Sequence, residues 1–481
     1  MGDRLFSLRP PLAALLLALL CSCAGAPPQP DERAACRALF ALVDEVVEQH
    51  GVRDHGSAVL AEFPYLRMNR LLASLRDEVE TPERFAAWSR RLAELDSEAR
   101  RHELRNLVPA INGLADEALL KQLDECRGRL QTLELAEPSL RQRLRAQAEV
   151  PDSYVTGWRI VGLYPLTAPF VSLGINRWHR ATQALFATPL DELPVNGTLT
   201  RWAAPRRAML TAAQVAELLH TSRDALGLPQ PAPADLQRLF DTFAPRWEVD
   251  VVSDDDRIGA LGWDAGPQVK TQRPMLYRLP SHTRFNGELL LQLNYIVWFA
   301  ARPGNDIYAG RLDGINWRVT LASDGTPLLY DLIHNCGCYY QALPSHKLRL
   351  RADLPRLYFE PPLQPQQAPE GLPVTLRIAA ATHHLQRAFH DGVKGDALPL
   401  AWADYDTLRS LPAGDAHHSL FGDHGLVTAS RRPERFLLWP MGVRSPGAMR
   451  QWGQHAIAFV GRRHFDDAHL LDTLFEPVPA P

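Results

Sequence analysis

The spacing of apolar residues in this chain of 481 residues changes once, near residue 246. Before that point, segments such as 35–50 and 84–107 carry apolar residues every three to four positions, the period of an amphipathic α-helix. After it, segments such as 247–253 and 315–321 are rich in β-branched and aromatic residues and alternate apolar with polar positions. The pattern predicts an α+β protein, with an N-terminal helical bundle followed by a mainly antiparallel β-sheet domain that has a C-terminal helix.

The length of the chain also predicts more than one domain, because a single core rarely serves so many residues. The change of period divides the chain into a helical domain at 32–245 and a β-rich α+β domain at 246–481. Within the second domain, Asp324-Gly325 lies between two strand-like segments and predicts a β-hairpin. The formal net charge of -3 gives no overall attraction to nucleic acid, so no nucleic-acid partner is expected.

The N-terminus has the pattern of an export signal. Arg4 and Arg9 precede an apolar run at 12–20, LAALLLALL. A run of this length can form the core of a signal peptide but is far shorter than the about 20 residues that span a bilayer. The segment therefore predicts export rather than a transmembrane helix.

The end of that signal resembles the lipobox of bacterial lipoproteins. Residues 20–23 read Leu-Cys-Ser-Cys, and Ala24 follows. The resemblance implies a signal peptide at 1–22, lipidation of Cys23 and a tether at 23–31. It also implies sorting to the outer membrane, with the folded part facing the periplasm and the membrane as a partner through the acyl chains. A plain secretory signal cut nearby is the alternative.

Export places the cysteines in an oxidising compartment, where disulfides persist. Cys36 lies at the start of the first predicted helix and Cys126 lies inside the third. A bridge between them would connect distant parts of the bundle and would stabilise it by about 4.5 kcal/mol in the chain-entropy model. We predict this disulfide.

A second group of cysteines lies in HNCGCYYQALPSH, which places His334, Cys336, Cys338 and His346 within a short segment. Thiolate and imidazole ligands suit Zn or Cu, so these four residues are a candidate metal site. If the preceding strand continued through Cys338, the first three would share one face; Gly337 could instead kink the chain. A structural disulfide, a pair of buried thiols and a redox pair remain alternatives.

Arginines are concentrated near the C-terminus, where the segment 431–467 contains few acids. Ser445 and Pro446 have the pattern of a helix start, and Gly461 that of its end. Arg444 and Arg450 would then lie at and inside a helix whose N-terminus attracts anions. We predict that these two arginines bind an anion; the alternative is that the arginines of this segment pair with acids elsewhere or cover apolar surface with their stems.

His464 and Asp466 follow this predicted helix and could form an acid–base pair, so they are the candidate catalytic residues. Farther upstream, the apolar stretch at 158–178 contains two prolines and is bounded by tryptophans. This composition favours a buried connector, although contact with a membrane surface is the alternative. The sequence does not decide between them.

Together, these features suggest an outer-membrane-anchored periplasmic lipoprotein. Its hypothesised activity is the binding, and possible hydrolysis, of an anionic small molecule or glycan of the cell envelope at the His/Cys site. The competing hypothesis is a non-enzymatic scaffold that binds an envelope protein and whose cysteines form structural disulfides. The sequence leaves open whether the protein is an enzyme.

Overall fold

The computed structural model describes residues 31–107, 117–205, 209–390 and 395–479. The fold class is confirmed: helices come first, a region of several sheets follows, and a short helix lies near the C-terminus. The predicted signal peptide and the lipidation site Cys23 lie outside the described residues.

The described helices are α1 (Glu32–Gln49), α2 (Arg70–Ser74), α3 (Pro82–Leu107), α4 (Glu117–Glu134), α5 (Pro138–Ala146), α6 (Thr156–Val161), α7 (Tyr164–Ala187), α8 (Ala212–Thr221), α9 (Pro233–Phe243), α10 (Arg435–Leu438) and α11 (Leu470–Leu474). The described strands are β1 (Ala58–Leu60), β2 (Phe63–Met68), β3 (Thr198–Ala203), β4 (Arg246–Val251), β5 (Ala260–Trp263), β6 (Pro267–Lys270), β7 (Met275–Phe285), β8 (Glu288–Arg302), β9 (Gly310–Leu321), β10 (Pro327–His334), β11 (Gln341–Pro344), β12 (Leu348–Leu350), β13 (Thr375–Ile378), β14 (Leu385–Phe389), β15 (Leu398–Pro399), β16 (Ala401–Asp404), β17 (Leu411–Ala413), β18 (Ala416–His418) and β19 (Phe475–Pro477).

The N-terminal helices pack through the apolar faces that their periodicity predicted. Phe40 of α1, Trp88 of α3 and Leu130 of α4 are fully buried in one core. The predicted disulfide is confirmed, because Cys36 and Cys126 are bonded and join α1 to α4. The bundle also contains the β1–β2 hairpin, which the sequence pattern did not predict.

The central sheet has the strand order β11-β10-β9-β8-β7-β16 and is antiparallel except for the parallel pair of β7 with β16. The predicted hairpin at Asp324-Gly325 is confirmed as the connection between β9 and β10. One face of this sheet packs against a five-stranded sheet of order β14-β13-β4-β3-β15, with Trp247 and Trp317 in the shared core. Strand β3 precedes residue 246 and pairs with β4, so this second sheet crosses the predicted domain boundary.

The opposite face of the central sheet is also buried and carries polar as well as apolar side chains. Arg318 on β9 donates to Asp331 on β10, with 2.8 Å between Nε and Oδ1, and also donates to the backbone oxygen of Phe465. Alternation on a strand normally leaves polar side chains in solvent. Here the C-terminal segment covers them, so the sheet is buried on both faces.

The predicted helix from Ser445 to Gly461 is wrong, because this segment forms turns and extended chain. Its backbone bonds to distant segments rather than to itself: the N–H of Arg450 donates to Asn335 O, and that of Ile457 donates to Arg463 O. Gly453, at φ +89°, has a backbone that does not fit a right-handed helix. The C-terminal helix is therefore the short α11.

The interpretation of residues 158–178 as a buried connector is also wrong. The stretch forms α6 and the first part of α7, and several of its apolar side chains point outward. Phe170, for example, is 75% exposed. Among the described helices, none has both the length and the apolar character needed to cross a bilayer.

Candidate functional site

The HNCGC segment forms a tight turn at the end of β10 rather than an extension of the strand. The N–H of His334 donates to Cys338 O at 3.0 Å, and the N–H of Gly337 donates to His334 O at 2.7 Å. Gly337 has a φ of +87°, and a Cβ there would lie 2.6 Å from Ala456 O, so only glycine fits. Of the two geometries that the sequence allowed, the strand does not continue through Cys338, and the chain kinks at Gly337 instead.

Both cysteines of the turn are free thiols, Cys336 buried and Cys338 half-buried. The backbone N–H of Cys338 donates to Cys336 Sγ at 3.3 Å. Burial opposes ionisation of Cys336, but the hydrogen bond from Cys338 and the charge of Arg432 outweigh it and lower its pKa. Donation of its S–H and burial raise the pKa of Cys338 well above its usual value. The two thiols are therefore inequivalent, and Cys336 is the one that ionises first.

Asp313, at the start of β9, is the fully buried anion around which the neighbouring groups are arranged. Its Oδ2 accepts from His383 Nδ1 at 2.9 Å, while Oδ1 lies 3.4 Å from both His334 Nδ1 and Arg432 Nη2. Burial raises the cost of ionising Asp313, but the charge of Arg432 and the contacts with the two imidazoles exceed that effect. The pKa of Asp313 consequently lies well below its usual value.

His383 lies between two carboxylates. Besides its bond to Asp313, its Nε2 is 3.4 Å from Asp256 Oδ1, and its ring stacks on Phe299 with centroids 3.9 Å apart. Burial lowers the pKa of His383, but the two carboxylates raise it by more. The arrangement favours a fixed imidazolium, so His383 orients Asp313 rather than reacting itself.

Two other histidines of the site are kept neutral by burial, which lowers the pKa of both His334 and His384. The ring of His334 lies beneath those of Tyr339 and His384, at centroid distances of 4.9 Å and 5.4 Å. Trp178, on α7, contacts Tyr339 at 5.3 Å. His384, Tyr339 and Trp178 are half-buried, so they lie nearer the surface than the fully buried His334.

This cluster has ring nitrogens that no described residue satisfies. Three ring nitrogens have no hydrogen-bond partner within the described part of the chain: His334 Nε2, His384 Nε2 and Trp178 Nε1. Buried polar atoms are nearly always paired, so these three nitrogens are available to water or to a ligand. We refer to the partly exposed cluster formed by the side chains of His334, Tyr339, His384, Trp178 and Arg302 as the histidine recess.

The positive charge of this cluster comes from Arg302, and a carboxyl group with a raised pKa, that of Glu434, lies nearby. Arg302, at the end of β8, donates to Tyr339 Oη at 3.3 Å and is almost fully buried. Glu434 is 4% exposed, and burial raises its pKa to about 7 even though Arg432 and Arg302 act in the opposite direction. Glu434 therefore exchanges a proton near neutral pH, as a general acid or base requires.

The backbone around the site is unusual for residues other than glycine. Leu312, Tyr339, Ala381 and His383 all have φ between 52° and 60°. A left-handed conformation costs such residues roughly 1 kcal/mol or more each. Strain of this kind is retained where the surrounding structure enforces a required side-chain position, and all four residues lie in or next to the site.

The structure does not assemble the predicted metal set. His346 lines a separate cavity of about 890 Å³, together with Lys347 and Arg349. In the ranges that the structure describes, no three His, Cys, Asp or Glu side chains are arranged to hold a metal ion. His334 joins Asp313 instead, and the thiols of Cys336 and Cys338 interact with each other.

The two predicted anion-binding arginines have other contacts. Arg450 is 3% exposed and donates to the backbone oxygens of Cys336, Arg444 and Ser445, so it fixes the turn from inside. Arg444 is half-buried, with its guanidinium 5.8 Å from the ring centroid of Trp158. The helix whose N-terminus was expected to support anion binding is not formed.

His464 and Asp466 bond to different partners. His464 Nε2 lies 3.3 Å from Asp152 Oδ1, whereas both carboxylate oxygens of Asp466 accept from Arg70 Nη1, at 2.8 Å and 3.0 Å. Asp466 and Arg70 line a cavity of about 260 Å³ between the helical region and the central sheet. The predicted pair is thus divided between two interfaces, where both residues hold parts of the chain together.

Sequence reasoning missed Asp313, His383, Arg302, Arg432 and Glu434 as members of one site. The doublet His383-His384 directly after a predicted strand was a usable signal, as was an isolated aspartate at the start of a strand. Their convergence could not be deduced, since β8, β9, β10 and the β13–β14 loop contribute from far apart in the chain.

Comparison with known proteins gives no assignment. No protein-family model matches the chain, and no curated protein or solved structure matches it.

Proposed function

We propose that this protein is a periplasmic lipoprotein, anchored in the outer membrane through Cys23, that binds and hydrolyses an anionic component of the cell envelope in the histidine recess. One observation carries the hydrolytic part: two carboxyl groups beside the same guanidinium, Arg432, have pKa values displaced in opposite directions. That of Asp313 is well below its usual range, and that of Glu434 is raised to about 7. Such a separation is the pattern of groups with distinct acid–base roles.

The roles follow from the contacts. Arg302 and the ring nitrogens of His334 and His384 would bind the anion, since a guanidinium and N–H groups are the donors that carboxylate and phosphate oxygens accept from. Glu434 would transfer the proton to or from the reacting group. Asp313 would keep Arg432 and the histidines in place. The thiols are not needed for this reaction.

Hydrolysis is tested with the chain from Ala24 and two chromogenic probes, p-nitrophenyl phosphate and bis(p-nitrophenyl) phosphate. We expect Glu434→Gln to lower kcat by about 100-fold and to remove the limb of the pH profile near 7. The exposed Glu83→Gln on α3 is the matched control and should leave kcat unchanged. Arg302→Met should mainly raise KM.

Equal activity of Glu434→Gln and the wild-type chain would reject the catalytic role. The competing scaffold hypothesis is distinguished by affinity capture from solubilised membranes. A stoichiometric envelope protein, together with an absence of turnover of both probes, would replace the hydrolytic proposal by the scaffold.

Anchoring is tested separately, by labelling cells that express the full chain with a radioactive fatty acid. We expect label in the wild-type protein and in Cys21→Ala, but none in Cys23→Ala. Label retained in Cys23→Ala would show that the predicted lipidation site is wrong.

A further inference from the structure

The surface with the greatest apolar exposure surrounds α6 and α7. Among described large apolar side chains more than 55% exposed, all but Val252 belong to this surface. Its members, which we call the apolar patch, are Ile160, Val161, Leu163, Leu166, Phe170, Leu173, Leu357, Phe436 and Leu437. Contiguous patches of this extent on a folded protein mark an interaction surface.

The patch is continuous although its residues come from three parts of the chain. Helices α6 and α7 both pack against the turn Trp439–Met441, and α10, which carries Phe436 and Leu437, leads directly into that turn. Gly162, between α6 and α7, lies so close to Pro440 that a Cβ would approach it to 2.5 Å. On the other side, the ring of Tyr358 contacts that of Tyr164 at 5.9 Å, which places Leu357 beside α7.

Helix α7 is two-sided. Its inward face buries Ala168 against Met441 and Val460. On the outward face, Leu166, Phe170 and Leu173 are spaced four and three residues apart and therefore form one stripe. The exposed Arg177 and Arg180 continue the same stripe at the same spacing.

The charged side chains of helices α6 and α7 are all of one sign. Residues 153–190 contain no Asp or Glu, but they contain three arginines. Arg356 precedes Leu357 in the chain, and the guanidinium of Arg435 lies 4.4 Å from the ring centroid of Phe436. Apolar side chains bordered by arginines match a bilayer surface, in which acyl chains lie beneath anionic phosphates.

We propose that the apolar patch docks the folded protein onto a bilayer that contains anionic phospholipid. Leu166, Phe170 and Leu173 would insert among the lipid headgroups and upper acyl chains, and Arg177 and Arg180 would contact phosphate. This inference depends neither on hydrolysis nor on lipidation of Cys23. Because Trp178 of α7 also contacts Tyr339, docking would hold the histidine recess close to the membrane surface.

The experiment uses the chain from Ala24, which has no acyl anchor, and vesicle flotation. One set of vesicles is phosphatidylcholine alone, and the other contains phosphatidylcholine and phosphatidylglycerol in equal amounts. We expect binding to the anionic vesicles that weakens with added salt. The triple variant Leu166→Ser, Phe170→Ser and Leu173→Ser should lose at least about tenfold in affinity.

Two further variants separate the contributions. Arg177→Gln with Arg180→Gln should weaken binding to anionic vesicles by about fivefold per arginine, without weakening it on phosphatidylcholine. Val252→Ser is the matched control, because Val252 is 61% exposed but outside the patch, and it should bind as the wild-type chain does. All the substituted side chains are exposed, and an unchanged circular dichroism spectrum confirms that the fold is kept.

Three results would overturn the proposal. The first is no binding of the wild-type chain to anionic vesicles at low salt. The second is unchanged affinity of the triple variant. The third is a wild-type dimer that the triple variant converts to a monomer, because a second copy would then cover the patch.

Discussion

Replacement of Asp313 by asparagine tests whether the histidine recess is built around a buried anion. The substitution preserves shape, so its cost comes from charge rather than from a cavity. It leaves Arg432 and His383, which lie 3.4 Å and 2.9 Å from the carboxylate, as buried cations without their shared partner. Removal of one partner from a buried ion pair costs about 3–5 kcal/mol. We expect a loss of this size in the free energy of unfolding, measured by urea denaturation near neutral pH.

The loss should depend on pH in a defined direction. The pKa of His383 is raised in the folded protein, so protonated His383 stabilises the fold. This contribution is fully present at pH values below the unfolded-state pKa of about 6.5, and it is lost as the pH rises through the folded-state pKa. Asp313→Asn lowers that folded pKa. The gap between variant and wild type should therefore be wider at about pH 5.5 than at about pH 9, while Asp313 stays ionised throughout.

A double-mutant cycle identifies the partner. In the double variant Asp313→Asn with His383→Gln, the loss should be smaller than the sum of the single losses by about 1–3 kcal/mol. The reason is that the second change removes one of the two cations that lose the Asp313 carboxylate, although His383 keeps its contact with Asp256 in the single variant. The exposed Asp77→Asn is the control and should change stability by less than about 0.5 kcal/mol. A loss below about 1 kcal/mol for Asp313→Asn, or a gap independent of pH, would refute the reasoning.

Three further outcomes are expected. Cys126→Ser removes the disulfide with Cys36, which joins residues 90 positions apart in the chain. The free energy of unfolding should fall by up to about 4.6 kcal/mol, and an unchanged urea midpoint would contradict this. The pKa of Glu434 is raised to about 7, against about 4.3 in the unfolded chain, so the folded protein loses stability as pH rises between these values. Glu434→Gln should therefore be more stable than the wild type by up to about 3.7 kcal/mol at about pH 8, and a less stable variant would contradict this. Cys336 and Cys338 should react with a thiol reagent slowly in the folded protein and completely in denaturant; elemental analysis showing one tightly held Zn or Cu per chain would instead restore the metal hypothesis.

Local pattern predicted the regular elements well where it was long and periodic. Helices α1, α3 and α4 and strands β4, β9 and β10 lie where the spacing of apolar residues placed them, since each buries one face or both. The Cys36–Cys126 bridge was also accessible, because both residues lie on helices of one predicted bundle. Between Ser445 and Gly461, the same reasoning failed. That segment has helix-like end signals, but its backbone hydrogen bonds go to distant partners.

The sequence by itself determined the α+β class, the order of helices and sheets, the β9–β10 hairpin and the disulfide, since each depends on periodicity, turn chemistry or compartment. Only the tertiary structure decided which chemical groups meet. Asp313, His334 and His383 are brought together by the pairing of β9 with β10 and by the left-handed backbone of the β13–β14 loop. Whether the 158–178 stretch faces the core or solvent was likewise a tertiary outcome, because helix α7 has apolar residues on both faces and only its packing on Met441 selects the buried one.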